Sequence, residues 1–185
     1  SLASRFVGEF QKGIDYIGDI DQFEKEFKIH ADIAGRFGYK LSIHSGSDKF
    51  SVFPIIGRHT GGRVHVKTAG TNWLEAVRVV AENDPSLYRD IHAYALEKFE
   101  EAKEFYHVTT DLSKLPELAQ LSDQELGELL EINEVRQLLH ITYGFILQDK
   151  KDGRYIFRDK LYKFWDDHDK EYRRALEEHI GRHIN

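Results

Sequence analysis

Residues 39–50 read Y-K-L-S-I-H-S-G-S-D-K-F, and residues 61–73 read G-G-R-V-H-V-K-T-A-G-T-N-W. Two short runs with β-patterning, Lys40 to His44 and Arg63 to Lys67, each end in a burst of small and polar residues. A segment with helical patterning follows each of them. That rhythm predicts parallel βα units, in which ligands gather at the carboxyl ends of the strands because the βα loops collect there. Polar groups suited to metal binding, proton transfer and anion recognition are concentrated at those two ends.

The rest of the chain predicts support for this stretch. Gly13 to Asp19 reads as a short strand bounded by glycines. Asp21 with Glu24 reads as a capping box opening a helix from about Gln22 to Phe37, with Phe23, Phe27 and Ala31 or Ala34 on one face and Gly38 as its stop. Asp48 begins a helix-like segment interrupted by Pro54, and Gly61-Gly62 turns the chain into the second run. Thr68 to Thr71 reads as an exit loop, with Asn72 and Glu75 opening a helix through Val80. Beyond this the strands are expected to cease. Asp84-Pro85 opens a helix reaching about Tyr106, and Ser122 with Glu125 forms a second capping box ahead of Leu126, Leu129 and Leu130. A helix follows over Glu134 to Leu147, then a charged turn at Lys150 to Gly153, and Asp159 caps a terminal helix towards His183. The expected organisation is a parallel α/β segment over residues 1–112, part of a (β/α)8 barrel, and an all-helical extension over 113–185.

Composition narrows the function classes. A net charge of −6 and a pI near 5.9 favour neither nucleic acid nor an anionic membrane surface. No apolar run approaches the ~20 residues needed to span a bilayer, and no secretory leader is legible. The absence of cysteine excludes thiolate metal sites and cysteine nucleophiles, and it is compatible with a cytoplasmic setting. There is also no methionine, so the chain is expected to be processed or a piece of something longer. The small number of strands favours the second.

Each candidate residue carries a bland reading beside its functional one. His44, at a strand end, suits a neutral metal ligand or a proton carrier, or a histidine satisfied by loop backbone. Ser45, Gly46 and Ser47 suit anion binding by backbone N–H groups and hydroxyls, or an ordinary helix cap. Asp48 and Lys49 suit proton transfer and anion clamping, or an exposed first-turn pair. His65 and Lys67 alternate with Val64 and Val66 and so share one strand face, pointing at a barrel interior or at solvent. Thr68, Gly70 and Asn72 suit substrate contact, Gly70 by close backbone approach and Asn72 by hydrogen-bonding a sugar hydroxyl. Asp15, Asp19 and Asp21 read as turn residues before they read as ligands. His140 and Tyr143 read as core positions, and His168, His179 and His183 as a solvated face. No Walker loop, GxGxxG, GxSxG or HExxH motif is present.

Taken together, Y-K-L-S-I-H-S-G-S-D-K-F, V-K-T-A-G-T-N-W-L-E-A (66–76) and R-Q-L-L-H-I-T-Y-G (136–144) resemble the tagaturonate epimerase family of hexuronate catabolism. The resemblance implies a barrel enzyme, dependent on a divalent cation, that interconverts D-tagaturonate and D-fructuronate. It also implies a longer protein whose N-terminal part carries the other strands and further metal ligands. L-S-I-H-S-G-S additionally resembles the strand, histidine and Gly/Ser loop of class II aldolases, which implies His44 as metal ligand and the loop as holder of the substrate's anionic end. His65 and Lys67 depart from that pattern, standing where those enzymes carry Asn and Asp. Within these likenesses Asp48 and Lys67 are the candidate catalytic residues. Ser45, Gly46, Ser47, Lys49, His65, Thr68, Gly70 and Asn72 are the candidate substrate contacts. A sugar acid is the expected partner, with no nucleic acid and no membrane. A homo-oligomer is expected from the open sheet edge. Two alternatives stay open: an aldolase-like lyase that releases its fragments, and a catalytically silent carbohydrate-acid-binding or assembly domain.

Overall fold

The computed structural model describes residues 1–44 and 48–182, which form two compact units, residues 1–71 and 72–185. The expected junction at residue 112 falls inside the second unit.

In the first unit, α1 (Ile20–Phe37) begins where the Asp19 carboxylate accepts a hydrogen bond from the Gln22 amide at 2.9 Å. Asp19 therefore takes the cap expected of Asp21, because its extended backbone lets the side chain reach forward. Gly38 ends the helix in the left-handed conformation, its N–H returned to the Ala34 carbonyl. Phe23, Phe27, Ala31 and Ala34 make the buried face as expected. They pack on Leu41 and Ile43 of β1 (Leu41–Ile43) and on Ile55 and Ile56 of α2 (Phe53–Thr60). Pro54 opens α2 rather than interrupting a helix, since its missing N–H falls among donors the first turn leaves unpaired.

β1 pairs in parallel with β2 (Val64–Val66), with Leu41 opposite Val64 and Ile43 opposite Val66. On its other side β1 is bridged in parallel by Leu2, whose amide donates to the Lys40 carbonyl at 2.8 Å. β1 is thus the inner strand and buried along its whole length, the expected state of a parallel strand covered on both faces.

The strand expected over Gly13 to Asp19 is not formed. The chain doubles back instead, with a single antiparallel bridge between Glu9 and Ile17. Gly8 and Gly18 both have positive φ, and a Cβ on either would collide with the Tyr16 phenol folded between them. This hairpin lays Phe6, Phe10 and Tyr16 against α1, with Phe6 and Phe27 rings 5.3 Å apart and Tyr16 and Phe23 rings 5.2 Å apart.

The second unit is built on α3 (Ala69–Asn83), α4 (Pro85–Lys103) and α5 (Asn133–Gln148), with α4 packed along α5. The unit division falls in the first turn of α3, and Ala69 to Thr71, expected in the exit loop, are already helical, while Asn72, expected to open the helix, lies within that first turn. Asp84 caps α4 by accepting from the Leu87 amide, as Asp84-Pro85 predicts. Between α4 and α5 the chain runs through short 3-10 turns. The Ser122–Glu125 capping box forms, but on such a turn rather than on a longer helix. Arg89 and Arg78 hold this segment by donating to the carbonyls of Leu118, Leu121 and Gly127.

After α5 the strands do not cease. β3 (Lys150–Lys151) and β4 (Arg154–Tyr155) pair antiparallel around Asp152 and Gly153, both at positive φ. The charged turn expected over Lys150 to Gly153 is thus a hairpin, which the Asp-Gly dipeptide favours by its positive φ values. The terminal helix is two helices, α6 (Arg158–Asp167) and α7 (Asp169–Gly181), separated at His168. Asp159 lies in the first turn of α6 and does not cap it.

Candidate functional site

The parallel pairing of β1 and β2 sets their carboxyl ends side by side, and the ladder extends one bond further, from the Lys67 amide to the Ile43 carbonyl at 3.0 Å. Carrying the register on by one residue sets His44 opposite Lys67. Ser42 and His65 are paired residues on one face, and Ser42 Oγ lies 2.7 Å from His65 Nδ1. That hydrogen bond fixes the exposed imidazole's ring plane and leaves Nε2 as its outward nitrogen. Lys67, also exposed, shares the face by the strand period of two, as the sequence predicts. It makes no hydrogen bond through its side chain and no ion pair among the described residues.

His44 is exposed and lines a cavity of about 200 Å³ with Ser4, Arg5, Phe6, Gly8 and Phe10. Lys67 is absent from that lining, so the cavity does not join the two groups that sequence reasoning placed together. Among the described residues no three His, Cys, Asp or Glu side chains come together to hold a metal ion. His44 would therefore be one donor of an incomplete set.

Two candidate site residues, the expected substrate contact Lys49 and the expected proton carrier Asp48, turn inward. Lys49 is 0% exposed, and its ammonium donates to the carbonyls of Gln11, at 2.9 Å, and Ile14. It is a structural cation rather than an anion clamp, because a buried ammonium must spend its donors on acceptors the fold provides. Asp48 is 5% exposed, so its carboxylate faces the fold instead of an open site. Asp15 accepts from the Ser51 amide and hydroxyl at 3.1 and 2.9 Å, a structural use in line with its bland reading. Ser45, Gly46 and Ser47 lie outside the described residues.

Thr68 precedes α3 and is half-buried, and Gly70 and Asn72 sit within the helix's first turn. Asn72 Oδ1 is buried without a hydrogen-bond partner among the described residues. Residues 1–12 carry little information in sequence. Yet Lys12 is half-buried there, and both its burial and the charge of Lys67 hold its pKa below the ordinary lysine value. The glycines flanking its hairpin were the only sequence signal.

The second unit holds a separate polar cluster. Arg78 donates to Glu75 at 3.0 Å and to Glu131 at 2.7 Å, and His179 Nδ1 lies 3.3 Å from Glu75 Oε1. Burial works against the Glu75 carboxylate, but the His179 hydrogen bond and the Arg78 charge outweigh it and lower its pKa. His179, expected on a solvated face, is buried, and His168 is half-buried with Nδ1 2.9 Å from the Phe164 carbonyl. His183 lies outside the described residues. His140 is buried, as its apolar helix suggested, whereas Tyr143 is exposed.

A family profile described as tagaturonate epimerase matches residues 1–185. A tagaturonate/fructuronate epimerase from Thermotoga maritima is 47% identical over 186 residues, which span all of this chain and 38% of that relative. Crystal structures of fructuronate-tagaturonate epimerase from Cohnella laeviribosi, one glycerol-complexed and one native, are each 62% identical with a TM-score of 0.96. Each covers 98% of this chain, which in turn spans 37% of that protein.

Proposed function

The chain belongs to the tagaturonate epimerase family, and from that premise we propose that it supplies strand-end groups of an enzyme interconverting D-tagaturonate and D-fructuronate. The observation that carries the reading is the parallel β1–β2 pair, which brings out at one sheet end His65, hydrogen-bonded to Ser42, and Lys67, whose side chain has no ion-pair partner among the described residues. In the same proposal, residues 1–71 are part of a parallel barrel, with the Leu2, β1, β2 order as its local support. The enzyme would be a cytoplasmic homo-oligomer. Among the described residues no helix is long and apolar enough to cross a membrane.

The two acids differ at a carbon two bonds from the ketone, whose hydrogen the carbonyl does not acidify. Simple enolisation therefore cannot invert it. Retro-aldol cleavage can. The hydroxyl on that carbon loses its proton, its C–O becomes an aldehyde, and the electrons of the broken C–C bond pass to the ketone half as an enolate. The aldehyde rotates, the enolate attacks its other face, and the new alkoxide regains a proton. In this scheme Lys67 holds the carboxylate of the three-carbon aldehyde fragment, and His65 Nε2 hydrogen-bonds a substrate hydroxyl. The Lewis-acid role expected of a divalent cation is a proposal of the same kind, His44 being the donor this chain would offer.

The test is incubation of the full-length protein with D-tagaturonate, read by NMR. D-Fructuronate should form, a deuterium on the inverted carbon should be retained, and a labelled three-carbon aldehyde acid should be incorporated. Loss of that deuterium would replace cleavage by direct proton abstraction. Accumulating free aldehyde would make the enzyme a lyase, and no turnover would make the protein a binding domain.

A further inference from the structure

Leu2 is bonded to β1 on both sides of its own residue: its amide donates to the Lys40 carbonyl, and its carbonyl accepts from the Ser42 amide at 2.9 Å. The bridge is parallel, so the chain runs on beside β1 and reaches the carboxyl end of the sheet with Ser4 and Arg5. There both residues line the cavity of about 200 Å³ that holds His44, together with Phe6, Gly8 and Phe10. His44 thus has Arg5 in its cavity, and Lys67 opposite it across the β1–β2 ladder.

The aromatic walls of this cavity are held from behind. Phe6 is buried, its ring 5.3 Å from Phe27 and 5.9 Å from Phe10. Phe10 rests against Tyr16 at 5.4 Å, and the Tyr16 hydroxyl donates to the Val7 carbonyl at 3.1 Å. Arg5 has no such tie. It is exposed and without an acidic partner among the described residues. The lining therefore joins a permanent cation, a hydroxyl and an imidazole to two aromatic rings, with no carboxylate. Its volume lies below the ~300 Å³ at which sites for drug-sized ligands begin, so it suits a fragment of a few carbons.

We propose that this cavity receives the ketone half of the sugar acid and that Arg5 stabilises the negative charge which that half acquires. This deepens the site proposed above and rests on it for the substrate and the cleavage step. When the C–C bond breaks, its electron pair passes into the ketone half, and the charge settles on the former ketone oxygen. The Arg5 guanidinium donates a hydrogen bond to that oxygen and keeps its proton, and the pair returns to the aldehyde carbon when the bond re-forms. The contacted atom is neutral in the substrate and anionic in the intermediate, so the contact lowers the barrier more than it tightens binding. Phe6 and Phe10 meet a second need. An enolate that takes a proton from water is lost as dihydroxyacetone, so an epimerase must keep it dry until the aldehyde has turned. With the carboxylate half held at Lys67, the two fragments have separate cations, and one can rotate while the other stays.

The experiment follows the full-length protein turning over D-tagaturonate in D2O, read by NMR. The parent enzyme should keep the hydrogen on the inverted carbon and release little singly deuterated dihydroxyacetone. Arg5→Met should lower kcat about 10- to 100-fold, the loss of one charge-assisted hydrogen bond, with a much smaller change in KM. Arg5→Lys should recover part of the loss. Phe10→Asn, which wets the cavity and leaves Arg5 in place, should raise the share of turnovers that end in deuterated dihydroxyacetone several-fold. An unchanged kcat in Arg5→Met, or a rise in KM alone, overturns the proposal, as does a Phe10→Asn enzyme that turns over with no added release. A loss in Arg5→Met of the preference for D-tagaturonate over D-tagatose, with kcat unchanged, would make Arg5 a carboxylate ligand instead. Exchange of the hydrogen on the inverted carbon in the parent enzyme would sink the cleavage reading and this subsite together. An indifferent Arg5→Met in an enzyme that retains that hydrogen would sink the subsite alone.

Discussion

Lysines 12, 49 and 67 show how differently the fold treats one side-chain type. Lys49 looks like a solvated first-turn residue in sequence because its acceptors lie 38 and 35 positions away in the chain. Nothing local announces them. His65 and Lys67, by contrast, are legible from strand alternation alone, since a period of two puts them on one face whatever packs behind. Buried histidine makes the opposite demand of solvent. Burial beside Tyr88 lowers the His92 pKa from 6.5 to about 4, so the folded state keeps the ring neutral. The unfolded chain binds the extra proton first. Stability is therefore complete above pH 6.5 and falls as pH drops from there to about 4, by on the order of 3 kcal/mol. Thermal melts between pH 7 and 4.5 should show this loss, and His92→Gln should flatten the His92 part of the slope. An unchanged slope would mean that His92 is already charged in the fold.

At the scale of elements, the helices with a long apolar repeat are legible: α1, α4 and α5 occur close to where periodicity puts them. The β3–β4 hairpin and the Asp19 cap have local causes, whereas the larger differences come from long-range contact. The N-terminal hairpin exists because aromatic side chains pack on α1, and α7 separates from α6 and carries a buried His179 whose partner is Glu75 of α3. Glu75 is almost wholly buried and joins His179 and Arg78. Removing it strands buried donors without an acceptor, whereas removing an exposed pair costs little. Glu75→Ala should destabilise the protein by about 3–5 kcal/mol in urea titration. Arg173→Ala, which breaks the exposed Arg173–Asp169 pair, should leave the urea midpoint almost unchanged. Similar losses for both variants would reduce the Glu75 cluster to surface decoration.

For the molecule as a whole, the surface left uncovered matters as much as the core. α1 buries one face, but its other side carries Ile29, Ile33 and Phe37 at 60%, 41% and 78% exposure. Four-residue spacing aligns them as one apolar stripe. Among the described residues β2 pairs only with β1, so its far edge also offers unpaired backbone groups. Apolar stripes and open strand edges are the two features that drive chains to associate. The curated relative is longer, this chain spanning 38% of it, so the 185 residues alone are the proper object for testing these surfaces. Sedimentation velocity on that chain should show concentration-dependent association, and the Ile33→Lys, Phe37→Lys double variant should shift it towards monomer without lowering the melting temperature, because neither side chain belongs to the core. A parent chain that stays monomeric at its solubility limit would show that the stripe is tolerated in water. Association that survives the double variant would assign it to the β2 edge instead.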